Sequence, residues 1–137
     1  MTGSTFSRPP IYEGVEVDLI IIFSDKEAGW QIKFNVNLGK DSRNLVIHFD
    51  VRFDYLEDRS KIVMNSMKDG VFAEEQRESF FPFQEGSDTK LCFTFEHTKI
   101  TVRLPAGRPV SFPLRFPIVQ LLYVSVDELQ LKSIIIK

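Results

Sequence analysis

From Trp30 to Leu38 apolar and polar residues alternate without a break. Trp30, Ile32, Phe34, Val36 and Leu38 are separated by Gln31, Lys33, Asn35 and Asn37. Successive side chains of a β-strand point to opposite faces, so this segment has one face to bury and one to leave in water. A helix, with about 3.6 residues per turn, would scatter the same apolar residues around its whole surface. The pattern recurs. Ile47, Phe49, Val51 and Phe53 interleave with His48, Asp50 and Arg52, and Val15, Val17, Leu19, Ile21 and Phe23 lie opposite Glu16 and Asp18. Leu91, Phe93 and Phe95, then Ile100, Val102 and Leu104, follow the same rule. Further strands are expected at 62–66, from Phe72 to an end at 80–83, and at 110–116, 118–126 and 129–137. Turns are expected at 24–29, 39–44, 67–70, 84–87, 96–98 and 105–107, with a longer loop at 54–61. Short strands broken by turns at this rhythm predict an all-β antiparallel sandwich or barrel.

The chain of 137 residues suits one domain at 11–137 behind a loose tail at 1–10, where small residues and a Pro-Pro pair offer little to pack. Its 17 basic and 19 acidic residues nearly cancel, so bulk charge draws it neither to nucleic acid nor to an anionic membrane. The thirteen Phe residues, among many Val and Ile, favour strands. The longest unbroken apolar run, at 19–23, is far too short for membrane insertion. A single cysteine, Cys92, has no internal partner, and residues 1–10 show no apolar signal-peptide core. A cytoplasmic chain is the expectation. Cys92 is expected to be a solvated or half-buried thiol, His97 a surface residue at a turn, and Trp30 part of the core.

The polar side of residues 45–54 carries the candidate chemistry. His48, Asp50 and Arg52 occupy every second position, and Asn65, Glu75 and Arg77 join them if their strands are neighbours. With the ring of Phe72, they make a set of planar donors and acceptors beside an aromatic plate. A sugar asks for that combination: directed hydrogen bonds for its hydroxyls and a flat surface for its C–H face. The same residues also fit a solvated salt-bridge ladder, and the residues alone leave both readings open. Hydrolysis is a weaker alternative. Asp50 and Glu75 could flank a glycosidic bond, yet a general acid must hold its proton near neutrality, and Arg52 and Arg77 would keep both carboxyls ionised. Two distant histidines and one cysteine give no zinc spacing, and no calcium or phosphate loop is present. No cofactor is expected.

The segments His48-Phe-Asp-Val-Arg-Phe53, Ile62-Val-Met-Asn-Ser66, Gly70-Val-Phe-Ala-Glu-Glu-Gln-Arg-Glu78 and Phe81-Pro-Phe83 resemble the galectin signature. That signature reads His-Phe-Asn-Pro-Arg-Phe, Val-x-Asn-Ser, and Trp-Gly-x-Glu-x-Arg followed by Phe-Pro-Phe, and it aligns over 45–87 without a gap. The resemblance implies a jelly-roll-like sandwich of two antiparallel sheets. It also implies calcium-independent binding of β-galactosides without catalysis, export by a non-classical route, and a homodimer that cross-links glycoproteins or other glycans. Both terminal apolar strands are candidates for the dimer interface.

By the same resemblance, His48 and Arg52 match the positions that hold the axial 4-hydroxyl of galactose. Asn65 and Glu75 match those that reach the 6-hydroxyl, and Arg77 belongs to the network reaching the next sugar. Leu56 and Asp58 match peripheral positions. Phe72 stands where the family has Trp, Asp50 where it has Asn, and Val51 where it has Pro. Losing the amide donor at Asp50 costs about 1–3 kcal/mol, and the smaller ring at Phe72 costs ~0.5–1 kcal/mol more. Galactoside binding roughly ten- to several-hundred-fold weaker than the full signature gives is therefore expected. The alternative is a protein-interaction module on the same fold, its sugar site drifted to another ligand.

Overall fold

The computed structural model describes residues 14–22, 32–84, 88–117, 121, 123–127 and 130–137. The expected tail, Phe23, the turn at 24–29, Trp30, most of the turn at 84–87, the start of the strand at 118–126 and Leu129 lie outside them. Eleven strands are described and no helix: β1 (Glu16–Ile22), β2 (Ile32–Asp41), β3 (Asn44–Tyr55), β4 (Asp58–Lys68), β5 (Val71–Phe72), β6 (Gln76–Glu78), β7 (Asp88–Phe95), β8 (Lys99–Arg103), β9 (Val110–Pro113), β10 (Tyr123–Asp127) and β11 (Gln130–Ile136). They form two antiparallel sheets. One runs β11-β1-β7-β8-β9; the other runs β10-β2-β3-β4-β5, with β6 also on β4. The all-β sandwich is as expected.

The alternating apolar residues meet between the sheets. Val17, Leu19, Ile21, Leu91, Phe93, Phe95, Ile100, Val102 and Phe112 come from one sheet, and Phe34, Val36, Leu38, Ile47, Phe49, Val51, Ile62 and Met64 from the other. Phe49 and Phe93 join the layers edge to face, with ring centroids 5.5 Å apart at 88°, a geometry that brings a ring's positive edge to the other's negative face. Burying such side chains contributes about 1.5–3 kcal/mol each. Packing of this kind, more than strand propensity, fixes which face of each strand looks out.

Three consecutive residues of β3 break the alternation: Leu45, Val46 and Ile47 are all buried. The register shows why. Leu45 pairs Met67 and His48 pairs Asn65 on β4, while Ile47 pairs Leu38 and Leu45 pairs Gly39 on β2. Val46 is thus an extra residue on β3 against both neighbours, a β-bulge. From His48 onward strict alternation resumes, with His48, Asp50 and Arg52 outward and Phe49 and Val51 inward. The bulge crowds Gly39, where a Cβ would lie 2.1 Å from the Asn44 carbonyl oxygen and 2.7 Å from Leu45 Cα.

Several expected boundaries move. The loop expected at 54–61 is a tight hairpin, with Tyr55 paired to Asp58 across only Leu56 and Glu57. Leu56 turns the chain with a left-handed φ of 55°. No glycine or Asn-Gly pair marks the spot, so the turn was illegible. The turn expected at 67–70 shrinks to Asp69 and Gly70, whose φ values of 53° and 82° suit the Asp-Gly hairpin linking β4 to β5. The turn at 39–44 likewise shrinks, closed by the Asp41 carboxylate, which accepts from Arg43 N and Asn44 Nδ2 at 2.9 Å each. The strand expected from Phe72 to 80–83 is two short pieces followed by irregular chain. Residues 114–116 likewise leave β9, which ends at Pro113, although Leu114 N still donates to the Thr98 carbonyl at 2.9 Å.

Candidate functional site

The outward face of the six-stranded sheet gathers the candidate residues. Cross-strand partners share a face, so register decides what meets. Asn37 of β2, His48 of β3 and Asn65 of β4 lie in one row. Asn35, Asp50, Val63 and Arg77 make the next, and Lys33, Arg52 and Lys61 the third. Ser125 of β10 pairs with Asn37 and extends the first row.

In the first row, Asn37 Nδ2 donates to Asn35 Oδ1 at 2.9 Å and to Ser125 Oγ at 3.1 Å. That leaves Asn37 Oδ1 facing His48 Nδ1 at 2.5 Å. An amide oxygen can only accept, so Nδ1 carries the proton and Nε2 is the acceptor of the neutral ring. Burial holds the His48 pKa below the ordinary 6.5, although the nearby Asp50 charge opposes this. The ring of Phe72, 48% exposed, packs beside His48 with centroids 5.1 Å apart. An accepting nitrogen and a half-open aromatic face therefore stand together.

The charged residues form one alternating chain. Lys33 Nζ lies 3.4 Å from Asp50 Oδ1, and Arg52 Nε 2.8 Å from Asp50 Oδ2. Arg52 Nη1 continues to Asp58 Oδ2 at 2.6 Å, Asp58 Oδ1 to Arg77 Nη1 at 2.7 Å, and Arg77 Nη2 to Glu75 Oε1 at 2.9 Å. Hydrogen bonds from Arg77, then Arg52, hold the Asp58 carboxyl below its usual range. Burial works against the Arg52 charge, yet the carboxylates of Asp50 and Asp58 raise its pKa further. Asp50 is only 2% exposed; it re-pairs with Arg52, and Lys33 caps its other oxygen. The tight hairpin at Leu56 sets Asp58 at the start of β4, where both arginines reach it. Leu56 itself is exposed.

Asn65 is the exception. Its Nδ2 donates to the Ala73 carbonyl at 3.0 Å, and its Oδ1 accepts from Ser66 N at 2.7 Å and Arg115 Nη1 at 3.1 Å. It lies beside His48, but its amide is committed within the protein. Sequence reasoning missed Lys33, Asn35, Asn37, Tyr55, Arg115 and Ser125. The polar alternation of β2 was visible, but nothing local showed that β2 and β10 flank β3. Tyr55 lies under both cations, 5.0 Å from Lys33 Nζ and 4.9 Å from Arg52 Cζ. Elsewhere Cys92 is a half-buried free thiol and His97 is exposed, as expected.

Three comparisons bear on this face. A family described as galactoside-binding lectins matches residues 9–136. Galectin-1 of Rhinella arenarum is 41% identical over 101 residues, covering 74% of this chain and 75% of that protein. Among solved structures, a toad ovary galectin in complex with N-acetylgalactose has a TM-score of 0.84 at 35% identity, covering 91% of this chain and 90% of that one. CG-16, a homodimeric agglutinin from chicken liver, has a TM-score of 0.82 at 34% identity over 92% of each chain.

Proposed function

The chain belongs to the galectin family of galactoside-binding lectins, and we propose that it binds β-galactosides without calcium on the face of His48, Asp50, Arg52, Phe72, Glu75 and Arg77. A lectin binds sugar and leaves it unchanged. The observation that carries this reading is the contact of His48 Nδ1 with Asn37 Oδ1. With Nδ1 tied to Asn37, Nε2 receives a sugar O–H, while Arg52, anchored at Nε and Nη1, donates to the same hydroxyl from its remaining N–H groups. An axial hydroxyl between an acceptor and a donor is what distinguishes galactose here. The C–H face of the sugar packs on Phe72, and Arg77 with Glu75 meets the neighbouring residue.

Binding is weaker than the full signature gives, because Phe72 offers less ring and Asp50 has no N–H to donate. A homodimer offsets part of that loss on clustered glycans by multivalency. The homodimeric chicken agglutinin supports this, as do the exposed Ile134, Ile135 and Ile136 on β11 at the edge of its sheet. Among the described residues no strand flanks the outer side of β11, and an edge of this kind readily accepts a second strand. The internal commitment of Asn65 favours a second reading, a galectin-fold module with a drifted site. Lactose titration by calorimetry decides between them. Saturable binding at millimolar lactose, lost in His48→Ala, supports the lectin reading, and no response at that concentration rejects it. Sedimentation velocity tests the dimer.

A further inference from the structure

Strand β2 places Lys33 directly opposite Arg52. Two like charges facing each other across a ladder repel, and here both also lie over the Tyr55 ring. The arrangement holds because Asp50, two residue pairs along and on the same face, accepts from both: Arg52 Nε at 2.8 Å on one oxygen and Lys33 Nζ at 3.4 Å on the other. The three groups are sequestered together, with side-chain exposures of 2% for Asp50, 13% for Arg52 and 17% for Lys33. A buried carboxylate with a single guanidinium partner would draw that partner onto itself. With a second cation on its far oxygen, it shares the load. The signature's asparagine is neutral and carries an NH₂ group with two N–H donors. Asp50 with Lys33 is also neutral as a pair, and the ammonium has two N–H groups beyond the one turned to Asp50.

We infer that Lys33 is a positioning residue of the sugar site: it neutralises Asp50, and so keeps the free edge of Arg52 directed at the ligand. This deepens the proposed function and rests on it. Lys33 and Asp50 act as one unit that stands in for the amide of the signature, so each substitution has a different consequence when the other residue is changed. Removing Lys33 alone leaves the chain of charges with an uncapped carboxylate next to Arg52. Removing the Asp50 charge alone leaves Lys33 facing Arg52 with nothing between them.

The test is a double-mutant cycle read by lactose calorimetry and by the ¹⁵N shift of Arg52 Nε, with thermal melts to confirm folding. In the wild-type background, Lys33→Met is expected to weaken lactose by about tenfold, since the stranded carboxylate competes for Arg52. In an Asp50→Asn background the same change is expected to leave affinity unaltered or to tighten it. Lys33→Arg, which keeps the cation, is expected to retain binding. Equal weakening by Lys33→Met in both backgrounds, or no weakening in either, overturns the positioning role. If no variant binds lactose but the Arg52 Nε shift still responds to Lys33→Met only when Asp50 is present, the ion-pair unit is real and the galactoside reading fails, taking the sugar-directed role with it.

Discussion

His48 Nδ1 and Asn37 Oδ1 face each other at 2.5 Å across the β2–β3 ladder, and that contact fixes which nitrogen of the imidazole meets a ligand. The neutral ring is required, since only it has an acceptor. His48 titrates below 6.5, chiefly because it is buried. Its pH linkage follows. As pH falls through 6.5 the unfolded chain takes up a proton that folded His48 resists, so this contribution to stability is complete above 6.5 and declines below it. Lactose affinity falls at lower pH still, when folded His48 itself protonates. Melting temperature and calorimetric affinity, measured from neutral to roughly pH 5, check this against His48→Gln, which has no titrating ring. A wild-type affinity that stays flat through the pH at which the ring-nitrogen shifts show folded His48 protonating rules out the acceptor role.

Asn37 holds the ring, and among the described residues its side-chain hydrogen bonds are to Asn35, Ser125 and His48, so Asn37→Ala separates orientation from the charged chain. Its loss frees His48 to adopt either tautomer and leaves Ser125 Oγ without its donor. A fall in lactose affinity of about tenfold is expected, the equivalent of one buried hydrogen bond. Ser125→Ala, one step further out, is expected to cost less. Chemical shifts of the His48 ring nitrogens report the tautomer directly; an unchanged Nε2 shift in Asn37→Ala contradicts the account.

Phe72→Trp enlarges the plate beside His48. A tightening of about 0.5–1 kcal/mol, or roughly two- to fivefold in lactose affinity, is expected from the added ring area. Restoring Asp50→Asn as well strengthens binding further only once the unpaired Lys33 is dealt with, so the triple variant with Lys33→Met is expected to exceed Phe72→Trp alone. Equal affinities in these two variants would show that Asp50 is not a source of weakness.

Alternation made both faces of β3 legible, because burial of Phe49 and Val51 leaves His48, Asp50 and Arg52 no other direction to point. The signature residues likewise identified Glu75 and Arg77. What surrounds them was hidden for a physical reason. Asn37, Lys33 and Ser125 reach the site through strand order and register, and register depends on the extra residue Val46, whose burial looks like ordinary apolar sequence. Of the two readings of one set of residues, the salt-bridge ladder is present, and it is compatible with the proposed sugar ledge: the ion pairs hold the arginines that would meet the ligand.

Leu56 spends its φ of 55° in a region that disfavours branched side chains, and its side chain is 68% exposed, so it gains little from packing there. Leu56→Asn relieves this strain, and a stabilisation of roughly 0.5–1 kcal/mol is expected. Sugar affinity should be unchanged, because Asp58 keeps its place opposite Tyr55. Denaturant unfolding measures the first and calorimetry the second. A destabilised Leu56→Asn would mean that Leu56 makes an energetically important contact.

Gly39 gives the most direct test of how the bulge supports the site. Its φ is ordinary, so the demand for glycine is one of space: a methyl group would meet the backbone of Asn44 and Leu45, which cannot rotate aside as a side chain can. Gly39→Ala must therefore push β2 away from β3 at the bulge, two residues from Asn37. Overpacking of this kind costs about 1–3 kcal/mol. Because the strain sits on the strand that carries Asn37, the Asn37–His48 contact should loosen, and lactose affinity should fall along with stability. Gly14→Ala serves as the contrast, since its Cβ would enter open space and any cost there comes from its φ of 83°. It should lower stability without altering affinity. Were Gly39→Ala to lower stability alone, the bulge would be a device of folding and not of the site.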